Sequence, residues 1–166
     1  VDRPDPIGPV DKKAAQLLAS RPHFRAELAA KLRQRGFPDD EIAAALDRLA
    51  AQGYLDDGKA AADFVAHRRE RGGEGKLRLR AELVKRGAPA EAIDAALAGL
   101  DEDDDLAAAR DAAERWARGA RKEDPAALAR HLSRKGFSRR AIVAVLRERP
   151  GGAADVAEAF ESFDPE

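Results

Sequence analysis

The amino-acid sequence predicts an all-α protein of three tandem three-helix repeats forming an elongated, curved array. Three observations predict it. The composition is rich in Ala, Leu and Arg, which are strong helix formers. Aromatics make up only 5% of the chain, so the cores between helices are shallow. One five-position pattern also recurs three times without gaps. It reads Leu28, Leu32, Gly36, Ile42 and Leu46; then Leu79, Leu83, Gly87, Ile93 and Leu97; then Leu128, Leu132, Gly136, Ile142 and Leu146.

Each position of the pattern has a physical reading. The two leucines stand i, i+4 on one helix face. Cations follow them: Arg33 and Arg35, Lys85 and Arg86, Arg134 and Lys135. They suit the negative end of the helix dipole. The glycine then takes the left-handed C′ position of a Schellman cap, with Leu32 and Phe37, or Leu132 and Phe137, as its apolar pair. Ala88 weakens that pair in the second copy. The next helix tolerates Pro38 or Pro89 in its first turn, and Ser138 can cap it. Its apolar face is Ile–x–x–x–Leu, extended by Leu49 or Leu100.

A further helix precedes each pair, roughly Asp11 to Ser20, Asp57 to Arg71 and Asp103 to Gly119. Asp56 or Asp57 can cap the second. Gly72-Gly73-Glu74-Gly75 reads as a flexible linker, and Asp124-Pro125 as an N-cap with proline at N1. The resulting division is a flexible N-terminus (1–10), repeat 1 (11–55), repeat 2 (56–100), repeat 3 (101–149) and a tail (150–166), with a short helix expected over Ala153 to Phe160. Units that mainly contact their neighbours make an elongated surface.

Composition excludes several chemistries. There is no cysteine, hence no disulfide, thiolate zinc site or cysteine nucleophile. Val1 to Lys13 carries three prolines and no apolar core of a signal peptide, and no apolar run approaches the roughly 20 residues of a membrane span. A cytoplasmic, monomeric protein is the expectation. His23, His67 and His131 are dispersed, without metal-ligand spacing, and read as surface or half-buried residues. Gly72 to Lys76 lacks the Ser/Thr and the preceding strand of a phosphate loop. Asp56-Asp57 and the acidic block 101–105 read as helix starts rather than an acid–base pair or a calcium loop. Trp116 and Tyr54 read as core or interface anchors. Neither catalytic residues nor a cofactor are expected.

The formal net charge is only −1, but charge is segregated. Arg68, Arg69, Arg71, Lys76, Arg78, Arg80, Lys85 and Arg86 crowd one stretch, facing only Glu70, Glu74 and Glu82. A second group is Arg134, Lys135, Arg139 and Arg140. Such clustering points to an acidic partner, either nucleic acid or a protein that carries it.

Several of these stretches resemble the RecX family. They are Arg21-Pro22-His23-Phe24-Arg25-Ala26-Glu27-Leu28 with Lys31-Leu32, Gly53-Tyr54-Leu55-Asp56-Asp57, and Gly75-Lys76-Leu77-Arg78-Leu79 with Glu82-Leu83-Val84-Lys85-Arg86-Gly87. Leu132-Ser133-Arg134-Lys135-Gly136-Phe137 continues the likeness, which spans about residues 14 to 148. The resemblance implies a regulator of the recombinase RecA. It would bind the groove of the RecA–single-stranded DNA filament and suppress its growth, ATP hydrolysis, strand exchange and stimulated repressor cleavage, with the twelve cations above as the contact surface. A general nucleic-acid binder without RecA dependence is the alternative, and a protein-only scaffold a third. Two positions depart from the family. Phe24 stands where a serine would form a capping box with Glu27, so the second helix is expected to start differently or fray. Ala60 replaces an aromatic and thins the second core.

Overall fold

The computed structural model describes residues 8–119 and 124–149. Every regular element among them is a helix: α1 (Pro9–Ser20), α2 (Arg25–Arg33), α3 (Asp39–Ala51), α4 (Asp57–Gly72), α5 (Lys76–Lys85), α6 (Ala90–Leu97), α7 (Glu102–Gly119), α8 (Pro125–Arg134) and α9 (Arg139–Arg147). They fall into three consecutive triplets, as the sequence pattern requires. The helix expected at 153–160 lies outside the described residues.

The Schellman caps form in all three copies. Gly36, Gly87 and Gly136 have φ of +83°, +78° and +79°, the left-handed region that side chains with a Cβ avoid. Phe37 N donates to Leu32 O (3.4 Å), Ala88 N to Leu83 O (3.0 Å) and Phe137 N to Leu132 O (3.2 Å). Gly53 ends α3 in the same way, with Tyr54 N donating to Leu49 O at 2.9 Å. There the buried apolar partner is Leu55, and the Tyr54 ring is 69% exposed. Tyr54 is therefore not a core anchor. Trp116 does pack against a core.

Helix starts follow the expected chemistry in part. Asp56 Oδ1 accepts from Lys59 N, Asp101 Oδ1 from Asp103 N and Asp104 N, and Asp124 from Ala126 N and Ala127 N. Ser138 Oγ accepts from Ala141 N at 3.2 Å. The start of α2 differs. Phe24 cannot cap it and is instead fully buried. The cap comes from the following copy: Asp57 Oδ1 accepts from Arg25 N at 2.8 Å. Asp105 repeats the device one copy later. It is buried, and its two oxygens accept from Lys76 N (3.2 Å) and Ser138 N (3.1 Å). One member of the acidic block is thus a buried connector rather than a solvated helix start, because two orphan helix N-terminal donors converge on it.

By packing, the described residues form two compact units: 8–63 with 83–95, and 64–82 with 96–119 and 124–149. The first holds a core of Val10, Ala14, Leu28, Leu32, Ile42, Ala45, Leu46, Leu49 and Leu55. In the second, Leu128, Leu132, Phe137, Ile142, Val145 and Leu146 pack on the alanine face of α7, Ala109, Ala112 and Ala113. Small residues let helix axes approach, and each fully buried leucine contributes about 1.5–3 kcal/mol.

Candidate basic surface

The glycine-rich segment before α5 is not a flexible linker. Gly73, Glu74 and Gly75 are buried. Gly75 N donates to Lys135 O at 2.8 Å and Leu77 N to Gly136 O at 3.1 Å. A Cβ on Gly75 would collide with the carbonyl of Gly136 and the amide nitrogen of Phe137. Glycine is present because backbone meets backbone, not because the chain must bend freely.

This packing gathers part of the first basic group around one buried carboxylate. Glu74 lies between Arg68 (Nε 3.3 Å from Oε2) and Arg78 (Nε 3.4 Å from Oε1). Arg68 Nε and Glu74 Oε2 are not aligned for a hydrogen bond, so that contact is ionic. Arg68 also stacks over the Phe64 ring, 5.4 Å from its centroid. Arg69 donates to the carbonyls of Glu74 and Asp104, Lys76 Nζ to that of Leu100 at 2.7 Å, and Arg78 Nη1 to that of Arg134 at 2.8 Å. Burial first, then Arg115, holds the Lys135 ammonium below its ordinary value against the pull of Glu74. Arg115, which the sequence reading passed over, packs on Gly73.

In the other unit Arg86 performs the matching task. Its guanidinium donates to Pro22 O (3.0 Å) and Glu27 Oε2 (3.2 Å) and stacks on Phe24, 5.0 Å from the ring centroid. Burial pushes the Glu27 carboxyl up, but hydrogen bonds from Arg21 and Arg86 outweigh it and bring it down to about 2. His23 is buried rather than half-exposed. Its Nδ1 pairs with Arg21 O at 2.8 Å and its Nε2 with Lys31 Nζ at 3.0 Å. Burial lowers its pKa, so the ring is a neutral core group.

The twelve cations therefore divide. Arg68, Arg69, Lys76, Lys135 and Arg86 are half-buried, and of these Arg69 and Arg86 reach into a neighbouring copy. Arg71, Arg78, Arg80, Lys85, Arg134, Arg139 and Arg140 are exposed. Arg78 belongs to both groups, and Arg140 pairs with Glu102. Two exposed apolar residues on α5 escaped the sequence reading: Leu77 (61%) and Val84 (60%). Their signal was present. The helix carries four long apolar residues, and its buried stripe uses only Leu79 and Leu83.

Among the described residues no group of three His, Asp or Glu side chains is placed to hold a metal ion. No described helix is long and apolar enough to cross a membrane.

Comparison with known proteins places this architecture. Residues 12–49 match the model of the first three-helix domain of RecX, and residues 56–97 that of the second. A regulatory protein RecX of Pseudomonas fluorescens is 40% identical over 150 residues, covering 87% of this chain and 94% of that protein. One from Mycobacterium avium is 39% identical over 132 residues, 74% of each chain. One from Mycolicibacterium vanbaalenii is 51% identical over 86 residues, and there the match spans about half of each protein, 52% of this chain and 47% of the relative. The crystal structure of RecX from Lactobacillus salivarius shares the fold, with a TM-score of 0.71 at 20% identity over 84% of this chain and 93% of that one.

Proposed function

Because this chain belongs to the RecX family of regulatory proteins, we propose that it regulates RecA by binding the RecA–single-stranded DNA filament. Bound there, it suppresses filament extension, ATP hydrolysis, strand exchange and stimulated repressor cleavage in recombination and repair. It acts as a monomeric cytoplasmic binding protein, not as an enzyme, and needs no cofactor of its own. The observation that supports the reading is the exposure of Arg71, Arg80, Arg134 and Arg139 in the second unit and of Lys85 in the first. A filament presents both phosphates and protein carboxylates to such a set, and neutralised phosphates release counterions.

The test is DNA-dependent ATP hydrolysis by RecA with this chain titrated in. Inhibition at ratios far below one per RecA supports filament regulation. Inhibition only when the chain is abundant enough to cover the DNA supports a general nucleic-acid binder instead. No inhibition at any ratio refutes the proposal. The surface is tested by Arg71→Glu, Arg80→Glu and Lys85→Glu together. Arg78 is left out, because its reversal would break its contacts with Glu74 and Arg134. Undiminished inhibition by the triple variant would refute the surface while leaving the function standing.

A further inference from the structure

The carboxylate that links one copy to the next is fully engaged in one case and half engaged in the other. Asp105 commits both oxygens, Oδ1 to Lys76 N and Oδ2 to Ser138 N. Asp57 holds the same place one copy earlier, and its Oδ1 accepts from Arg25 N at 2.8 Å. The residue in the register of Ser138 is there Pro89, which has no N–H to donate. Asp57 Oδ2 therefore has no donor among the described residues, although the residue is half-buried.

Asp57 and Pro89 stand on the wall of a groove of about 390 Å³ that lies within the first unit. Buried Ile42 and Leu46 form part of its lining, and Ala26, Ala29 and Ala43 present only methyl groups to it. In the register of the repeat, the second copy carries Arg80 and Asp94 where the first has Ala29 and Ala43. The other charges at the groove are balanced. Arg33 Nε lies 2.7 Å from Asp39 Oδ1, and Arg25 Nη2 lies 2.6 Å from Asp47 Oδ1. Asp57 adds a negative charge with no cation at ion-pair distance among the described residues, so the groove as a whole is acidic by one charge. An apolar cleft with one such carboxylate fits a guest that is apolar along its stem and cationic at its tip. A guanidinium suits it better than an ammonium, being flat, more weakly hydrated and able to fork onto a carboxylate. We propose that this groove seats an arginine side chain of a partner protein, its stem on Ala26, Ala29 and Ala43 and its guanidinium donating to Asp57 Oδ2. The second copy encodes an arginine at the Ala29 position, and the first leaves that place to the partner. The inference goes beyond the function proposed above and does not rest on it.

The experiment is an NMR titration of the full chain, labelled at its alanine methyls, with a capped tripeptide that has arginine at its centre. A second peptide carries citrulline there, which has nearly the same shape and no charge. The Ala26, Ala29 and Ala43 methyls should shift and saturate with the arginine peptide. The citrulline peptide should bind about tenfold or more weakly, since it loses the charge-assisted hydrogen bond. Asp57→Asn keeps an acceptor for Arg25 N but removes the charge, and should weaken the arginine peptide by about tenfold. Pro89→Ser supplies the missing N–H, as Ser138 does one copy later, and should weaken it by about threefold or more by engaging Oδ2 from within. Serine also suits the start of α6, so this variant keeps the fold and decides the matter should Asp57→Asn melt early. Free arginine should bind no more tightly than the capped peptide, because the groove is argued to hold a side chain and not an amino acid.

Equal binding of the arginine and citrulline peptides would overturn the inference, as would parent-like binding by Pro89→Ser. Groove methyls that stay still at about 10 mM peptide, a concentration that reveals even weak sites, would overturn it as well. Tighter binding of free arginine would overturn it in favour of a small-molecule ligand. RecA enters none of these readouts, so failure here leaves the regulatory function standing, and failure of that function leaves the groove standing.

Discussion

Replacing Gly75 by alanine tests the central packing claim at a single atom. The added Cβ would meet the backbone of Gly136 and Phe137, which cannot rotate aside as a side chain can. The segment before α5 must then lift off the α8–α9 turn, losing Gly75 N to Lys135 O and Leu77 N to Gly136 O. The Gly75 amide is buried, so its orphaning costs about 1–3 kcal/mol. Leu77 is exposed, and water replaces part of its bond, a loss of about 0.5–1.5 kcal/mol. Alanine returns roughly 0.4–1 kcal/mol by restricting the unfolded chain. The net expectation is a loss of about 0.5–4 kcal/mol, set against an ordinary domain's roughly 5–15 kcal/mol. Urea titration followed by tryptophan emission measures it, because Trp116 is the single tryptophan and packs on the core of this unit. With a slope of about 2 kcal/mol/M, the midpoint should fall by about 0.25–2 M. Gly99→Ala is the control. Nothing lies within 4 Å of its Cβ position, and its backbone is not left-handed, so the midpoint should hold. A Gly75→Ala midpoint equal to the parent's would refute the reading that this segment is docked.

Other expectations follow from the same contacts. Asp105→Ala orphans two helix N-terminal amides and should cost about 2–4 kcal/mol in the urea assay, while Asp105→Asn, which keeps one acceptor, should lose about half as much. Gly36→Ala meets empty space and should cost only the left-handed penalty of about 1–2 kcal/mol. Gly136→Ala adds a clash with the backbone of Arg78 and should cost clearly more; equal losses would contradict the packing there. The Glu27 carboxyl lies below its ordinary 4.5 in the fold, at about 2, so the unfolded chain takes up its proton first. Its stabilisation is complete above pH 4.5 and is lost as pH falls toward 2, and Glu27→Gln should flatten the thermal-stability profile across that window. His23 has the same sign at higher pH: held neutral by burial, it stabilises above its ordinary 6.5 and that contribution declines below, a limb that His23→Gln should remove.

Much of the fold was readable from the chain because the rules that write it are local. A leucine pair four apart, a cation, a glycine at C′ and an apolar residue after it specify a Schellman cap whatever surrounds them, and all three copies show it. Asp56, Asp101, Asp124 and Ser138 cap the helices they precede for the same reason: a short polar side chain reaches its own backbone within a few residues. The clustering of cations was equally visible. Their roles were not, because an arginine beside a distant carbonyl and one in solvent look alike in a sequence. Arg86 and Arg80 stand six residues apart, yet one is half-buried against Pro22 and Glu27 and the other is exposed.

What depended on contacts across the chain was decided by tertiary structure alone. Phe24 removes a local cap, and Asp57 supplies it from 32 residues away. Gly72 to Gly75 has the composition of a free linker, yet at Gly75 backbone packs against backbone and leaves no room for a Cβ. Leu77 looks like one more core leucine until the inward stripe is filled by Leu79 and Leu83. The sequence by itself determined the helices, their caps and their threefold recurrence, since those energies act within a turn or two. Which charges are half-buried and which stay exposed was decided only when distant helix ends met, because burial is a property of the folded chain and of no single segment in it.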